Sequence, residues 1–252
     1  MKVSIITISL NSAATIEACL RSITAQTHPD IEQISVDGRS VDGTLEILER
    51  NRDRFAARLV EPDGGVYQAM NKGLALARGD LVGFLNSDDV YAADDVVAGL
   101  VELISHEELD SCYGDLVYGR GDAAGRERTV RYWKAGPFDV RNFEKGWMPP
   151  HPTFFVRKRI YERYGAFNLD FPVVADYEIM LRFLYKHRIS CGYFPRVVIR
   201  KRTGGISRPT ALNVVRNNAA CYQAWLANGL KPRPGTFVRK ALSKLGQFGR
   251  RP

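Results

Sequence analysis

The sequence predicts an α/β fold, a mostly parallel sheet with helices on both faces, from three observations. Short apolar runs alternate with stretches of helical period between Val3 and His106. Clusters of Gly, Asn, Asp and Pro separate them, and one uninterrupted run, Leu81 to Leu85, ends directly in carboxylates. Val3 to Ile8 reads as the first buried strand, and Asn11-Ser12 caps a helix in which Ile16, Cys19, Leu20 and Ile23 fall at helical spacing. His28-Pro29 closes that helix region, and Ile31 to Val36 supplies a second strand that stops at Asp37. A helix is predicted over 45–55, a short strand at Leu59-Val60, a helix over 67–78 and a strand over 81–85. A helix over 94–106, a strand over 112–118, a hairpin tip over 120–128 and its return strand over 129–133 follow. A helix from Val174 to Leu184, a strand over 192–200 and a helix over 212–226 complete the pattern.

A chain of 252 residues with 45% hydrophobic and 25% charged residues suits a single large α/β domain. No apolar run reaches the roughly 18 residues that span a bilayer, and the first residues lack the apolar core and cleavage site of a signal peptide. The chain is therefore expected in the cytoplasm, with room for peripheral contact at the inner face of the membrane. Cys19, Cys112, Cys191 and Cys221 are scattered, with no zinc-like spacing, and read as buried free thiols. The net charge of +8 is concentrated at the end: residues 230–252 hold seven Lys and Arg and no acidic residue. A nearly neutral body weighs against a nucleic-acid surface and sets the tail apart as an electrostatic device. The expected organisation is one domain over 1–229, whose pattern changes at about 118–119, followed by a basic tail over 230–252 with amphipathic spacing. Absence of Gly-x-Gly-x-x-Gly after the first strand and of a phosphate-loop motif weakens dehydrogenase and NTPase readings.

The organising stretch is 77–89, where Leu81, Val82, Phe84 and Leu85 run from the Gly79 turn into Asn86-Ser87-Asp88-Asp89. Ligands of open α/β sheets bind at the carboxyl ends of strands. Two adjacent aspartates there call for a divalent cation or another positive partner, because burying them unpaired is costly. A solvated turn leading to a helix start at Asp94-Asp95 is the plainer alternative.

The segment Glu61-Pro-Asp-Gly-Gly-Val-Tyr-Gln-Ala-Met-Asn-Lys-Gly-Leu-Ala-Leu-Ala-Arg-Gly-Asp80, leading into Leu85-Asn-Ser-Asp-Asp89, resembles the donor-site region of inverting family-2 nucleotide-sugar glycosyltransferases. Members of that family have the GT-A fold, and the pattern is similar to bacterial enzymes of exopolysaccharide and capsule synthesis, including the colanic-acid type. The resemblance covers roughly 1–210, and makes the stretch to about 118 the donor half and that from about 119 the acceptor half. It implies a nucleoside-diphosphate-sugar donor (UDP- or GDP-linked), a glycan or lipid-linked acceptor, and Mn²⁺ or Mg²⁺ held by Asp88 and Asp89. It also implies donor contacts from Thr7, Asp37, Asp63, Lys72, Asp88 and Arg202. Asp37 could instead be a turn aspartate satisfying backbone amides, and Lys72 an ordinary solvated lysine. A degenerate, non-catalytic nucleotide-sugar-binding subunit is the rival reading.

In the acceptor half, the proline-rich run Gly146 to Phe155 offers Trp147 and His151 as acceptor-binding residues, since an aromatic face can stack on a sugar ring; a loop packed on the core is the alternative. Asp176 opens a helix and can simply cap it, but the resemblance makes it the catalytic base, with Glu178 as fallback. The usual preceding Glu is replaced by Ala175. Lys201 to Ser207, cations beside two glycines, reads as a loop able to close over a diphosphate, or as a solvated turn. In the tail, Val238, Ala241, Leu242, Leu245 and Phe248 line one side of a possible helix that could lie on an anionic membrane.

Overall fold

Every residue of the strand Val3–Ser9 (β1) is buried, and its side chains divide by parity: Val3 and Ile5 enter one apolar core, Ile6 and Ile8 another. A strand covered by helices on both faces requires that division. The computed structural model describes residues 1–121, 127–202 and 211–237. In it β1 pairs in parallel with β2 (Ile31–Asp37), β2 pairs in parallel with β3 (Phe55–Val60), and β4 (Leu81–Phe84) lies parallel on the other side of β1. The sheet then becomes mixed through β5 (Asp89–Tyr91), β6 (Ser111–Gly121), β7 (Glu127–Trp133), β8 (Phe155–Arg157) and β9 (Cys191–Arg202). The strand order is β3-β2-β1-β4-β8-β6-β9-β5, with β7 paired to β6.

The helices are α1 (Ile16–Thr24), α2 (Thr44–Arg50), α3 (Val66–Leu76), α4 (Val96–His106), α5 (Lys158–Tyr164), α6 (Ala175–Met180) and α7 (Ala211–Ala227). On one face, Met70 and Leu74 of α3, Ile160 of α5, Ile179 of α6 and Trp225 of α7 share a core with Ile6, Ile8 and Val82. On the other, Cys19 and Ile23 of α1 and Val97, Leu100 and Ile104 of α4 pack on Val3, Ile5 and Leu81. The helix α6 runs on into a π-helical turn, Leu181–Lys186. No helix among the described residues is long and apolar enough to cross a membrane.

Several boundaries differ from the sequence reading. The helix expected over 45–55 stops at Arg50, and a 3₁₀ turn at Arg52–Arg54 leads into β3 four residues earlier than expected. Pairing with β2 decides this, because Ala57 to Val60 find backbone partners along Ile34 to Asp37. The strands β5 and β8, three residues each, and the helix α5 were not expected at all; so short a strand shows no period, and only long-range pairing creates it. The boundary expected at 229 moves too. Leu230 N–H bonds to Trp225 O at 2.9 Å, Arg233 pairs with Glu144 at 2.9 Å, and the Thr236 hydroxyl donates to Glu144 O at 2.7 Å, so residues 230–237 pack on the acceptor half. The amphipathic stripe from Val238 to Phe248 lies outside the described residues, as does the glycine loop over 203–207.

Helix α3 sits unusually close to the sheet because Gly73 has no side chain. A Cβ there would stand 2.3 Å from Ile6 Cγ2 and 3.4 Å from Val36 Cγ2. Helix propensity favours alanine over glycine by about 1 kcal/mol, while overpacking a rigid core costs about 1–3 kcal/mol. Gly73→Ala is therefore expected to lower the stability measured by urea unfolding, packing outweighing propensity.

Candidate active site

The carboxyl ends of β1 and β2 lie side by side, with Ser9 opposite Asp37 in register. Asp37 is wholly buried, and its carboxylate accepts from Ser9 Oγ at 2.6 Å, Ser40 N at 2.7 Å and Ser40 Oγ at 2.7 Å. It therefore organises the loop after β2 from beneath. Expected on the nucleotide, Asp37 here has three of its about four acceptor sites taken by Ser9 and Ser40, as a turn aspartate does. Thr7 is 1% exposed, its hydroxyl against the Cys19 thiol, so it too lies inside the sheet rather than in the crevice.

At the surface of this crevice the open carboxylate is Asp63. The Asp63-Gly64-Gly65 turn opens α3, with Gly65 at φ +127° where a side chain would be strained. Asp63 Oδ1 accepts from Gly65 N at 3.0 Å, while Oδ2 lies 2.9 Å from where a Cβ on Gly38 would be. The carboxylate thus occupies the space above Gly38, next to the exposed Leu10. Lys72 does not reach the crevice as a free cation. Its ammonium is held by Glu61 at 2.7 Å and Pro62 O at 2.8 Å, which pins the turn after β3.

The acidic pair splits into two roles. Asp89 is 0% exposed and is gripped by Lys201 of β9, with Nζ at 3.1 and 3.2 Å from its two oxygens. Asp88 lies on the rim, 3.7 Å from the same ammonium. Burial pushes the Asp89 carboxyl up to about 6 against the pull of Lys201. Burial works the other way on Lys201, yet Asp89 and Asp88 hold its ammonium above the usual lysine range. Asp88, Lys201 and Arg202 line a recess with Thr15, Ala18, Val90, Gly119 and Arg200. Asp89, expected as a metal ligand, is in this structure the partner of a lysine. No group of three or more His, Cys, Asp or Glu able to hold a metal occurs among the described residues. What the chain offers is one open carboxylate, Asp88, which fits the way Mg²⁺ is held where one or two carboxylates act together with a substrate's phosphates.

The acceptor-side residues converge on the same place from α6. Asp176 is half-buried in the first turn, accepting from Tyr177 N at 2.8 Å. Glu178, the fallback base, is fully engaged. It is 3% exposed, paired with Arg182 at 2.9 and 3.0 Å and accepting from Asn228 Nδ2 at 3.0 Å. Arg182 in turn donates to the carbonyls of Tyr164, Gly165 and Ala166, fixing the start of the loop that leads to α6. His151 stacks on Phe84, the last residue of β4, with centroids 6.1 Å apart, and meets Phe167 edge-on at 5.5 Å. Burial lowers its pKa, the charge of Asp176 opposes that and the charge of Lys201 adds to it, so the ring lies within electrostatic range of both. Trp147 is half-buried, its ring edge-on to Tyr113 at 6.1 Å, and serves the core as much as the crevice.

The structure thus brings together Asp88, Lys201, Arg202, His151 and Asp176, with Asp63 at the β3 end, and withdraws Thr7, Asp37, Lys72 and Asp89 into supporting roles. Sequence reasoning missed Lys201 as the counterion, and Phe167 and Arg182 as organisers of the base loop. Lys201 carried a signal, a cation next to a glycine pair; Phe167 carried none, its partner Asn71 being 96 residues away.

The class of a protein with this mixed α/β sheet and an acidic crevice at its strand ends, a glycosyltransferase, comes from comparison with known proteins. The model of glycosyl transferase family 2 matches residues 4–165, and the chain belongs to that family. An uncharacterised glycosyltransferase of Mycobacterium tuberculosis strain H37Rv is 38% identical over 183 residues, covering 71% of this chain and 68% of its own. A PGL/p-HBAD biosynthesis glycosyltransferase of Mycobacterium bovis BCG is 34% identical over 209 residues, covering 81% and 78%. Among solved structures, S. aureus TarS 1-349 in complex with UDP-GlcNAc aligns with TM-score 0.66 at 18% identity, over 92% of this chain and 68% of that one. This chain spans 37% of the longer TarS structure. A mannosyltransferase from Pyrobaculum calidifontis in complex with GDP-Man and Mn²⁺ also aligns with TM-score 0.66, at 20% identity over 95% and 69%. These likenesses establish the GT-A fold.

The division of the acidic pair has a thermodynamic signature. Asp89→Asn strands the Lys201 ammonium, whose side chain is 27% exposed, and is expected to cost about 3 kcal/mol, the low end for breaking a buried pair. Asp88→Asn, at an open position, should stay within about 0.5 kcal/mol of wild type. Chemical denaturation of both variants checks this; equal stability would overturn the counterion role.

Proposed function

We propose that the chain is an inverting glycosyltransferase that moves one sugar from a nucleoside-diphosphate donor to a hydroxyl of a glycan or lipid-linked acceptor in cell-surface polysaccharide synthesis. The carrying observation is the contrast in α6: Glu178 is consumed by Arg182 and Asn228, while Asp176 stays half-buried with its charge felt by His151. The relatives named for PGL/p-HBAD biosynthesis, and the shorter match to a Bacillus subtilis protein named for teichuronic acid biosynthesis, 41% identical over 95 residues, support a cell-surface glycan acceptor.

In this reading the nucleobase lies over Leu10 with Asp63 as hydrogen-bond acceptor, and the diphosphate meets Arg202 and the rim of the acidic recess. Asp88, with the donor's own phosphate oxygens, would hold Mn²⁺ or Mg²⁺. Such an ion, when bound, stabilises the charge that builds on the leaving diphosphate. Asp176 accepts the proton of the acceptor hydroxyl as its oxygen attacks the anomeric carbon; the bond to the diphosphate breaks and its electron pair leaves on the phosphate oxygen. One displacement inverts the centre without an enzyme nucleophile. Lys201, pinned between Asp88 and Asp89, keeps Asp88 at the rim. The cations of the tail beyond 237 would favour an anionic membrane surface, where a lipid-linked acceptor resides.

Transfer from UDP-GlcNAc and GDP-mannose by the purified full chain with Mn²⁺ tests the reading, alongside nucleoside diphosphate binding by thermal shift. Asp176→Asn is expected to cut kcat by about 10²–10⁴-fold while donor binding survives, and Asp88→Asn to weaken donor binding in the presence of Mn²⁺. Wild-type kcat in Asp176→Asn would remove the base assignment.

A further inference from the structure

Resting on the assignment of Asp176 as base, a second question is what holds that carboxylate in place. It stands at the start of α6 after a loop, 165–174, that has no regular structure. The loop is tied down from the opposite half of the molecule by one face of α3. Asn71 of α3 makes a reciprocal pair with the backbone of Phe167, Nδ2 donating to Phe167 O at 2.8 Å and Oδ1 accepting from Phe167 N at 2.9 Å. One turn earlier, the ring of Tyr67 stacks on Phe167, centroids 5.6 Å apart and planes 28° from parallel. Phe167 also meets Phe84 edge-on at 5.4 Å, so the loop is fixed to the very strand that carries the acidic motif. The Tyr67 hydroxyl reaches past this stack to Val173 O, at 3.4 Å, three residues before Asp176.

We propose that Tyr67 is a positioning residue for the base: from the donor half its ring holds Phe167 and its hydroxyl the Val173 carbonyl, so that α3 sets the place of the turn from which Asp176 is presented. The electrostatics are consistent. Burial raises the pKa of Tyr67 well above the usual phenol range and the Asp176 charge raises it further. The phenol thus remains a donor throughout the working pH range. Donated to the Val173 carbonyl, its one proton limits the swing of the turn from which α6, and with it Asp176, begins. Tyr67 and Asn71 belong to the stretch whose resemblance suggested donor binding; their side chains point instead across the crevice to the acceptor half.

Tyr67→Phe keeps the stack on Phe167 and removes only the hydroxyl, and the full-length variant is read by steady-state kinetics and thermal melting. The expected result is a fall in kcat of about fivefold, the kinetic equivalent of one neutral hydrogen bond, with unchanged KM for donor and acceptor and an unchanged melting temperature. In an Asp176→Asn background the same change should lower the residual rate no further, because the group it positions is gone. Near-zero turnover by Asp176→Asn together with wild-type kcat in Tyr67→Phe would overturn this inference and leave the base assignment standing. Loss of kcat accompanied by a raised donor KM and a lowered melting temperature would also overturn it, marking Tyr67 as structural only. Wild-type turnover by Asp176→Asn would overturn both.

Discussion

A carboxylate with no exposure to water must find a cation or several hydrogen-bond donors, or give up its charge, and Asp89 is one that depends on a cation. Lys201 answers that requirement from the far end of the chain, 112 residues away. The pair does more than neutralise a charge. It fastens β5 to β9 at their crossing, since Asp89 and Lys201 are also partners in the ladder. With Asp89 held inward, Asp88, in the turn just before β5, is left half-buried at the rim, 3.7 Å from the same ammonium. The open rim of the crevice therefore follows from a buried ion pair behind it.

The same logic of one group held so that its neighbour is free recurs twice. In α6, Arg182 and Asn228 engage Glu178, and Asp176 is left half-buried with its charge felt by His151. At the strand ends, Asp37 is held by Ser9 and Ser40 beneath the loop, and Asp63 stands above Gly38. Each site carboxylate has a buried carboxylate nearby whose hydrogen bonds fix the backbone that presents it.

How much of this could be read in advance depends on the range of the forces involved. The four parallel strands and the helices between them are legible because their signals are local: apolar runs such as Leu81 to Leu85 and the spacing Ile16, Cys19, Leu20, Ile23 in α1. The crevice at the strand ends follows from that topology. Which of two adjacent aspartates faces it does not, since Asp88 and Asp89 differ only in their distant partners. Likewise Lys72 reads as a free cation until Glu61 is seen beside it, and the three-residue strands β5 and β8 exist only as partners of β9, β4 and β6.

The chain also does not divide where its two roles do. Strand β4, which carries the motif, takes its outer neighbour β8 from residues 155–157, and Asp89 takes its counterion from residue 201. During synthesis the donor half therefore emerges with an unpaired strand edge, which waits for β8, and an uncompensated acidic residue, which waits for β9 to leave the ribosome. A fragment ending near residue 118 would carry both liabilities permanently. The donor half is thus a functional region but no autonomous folding unit, and the last strand added to the sheet closes it.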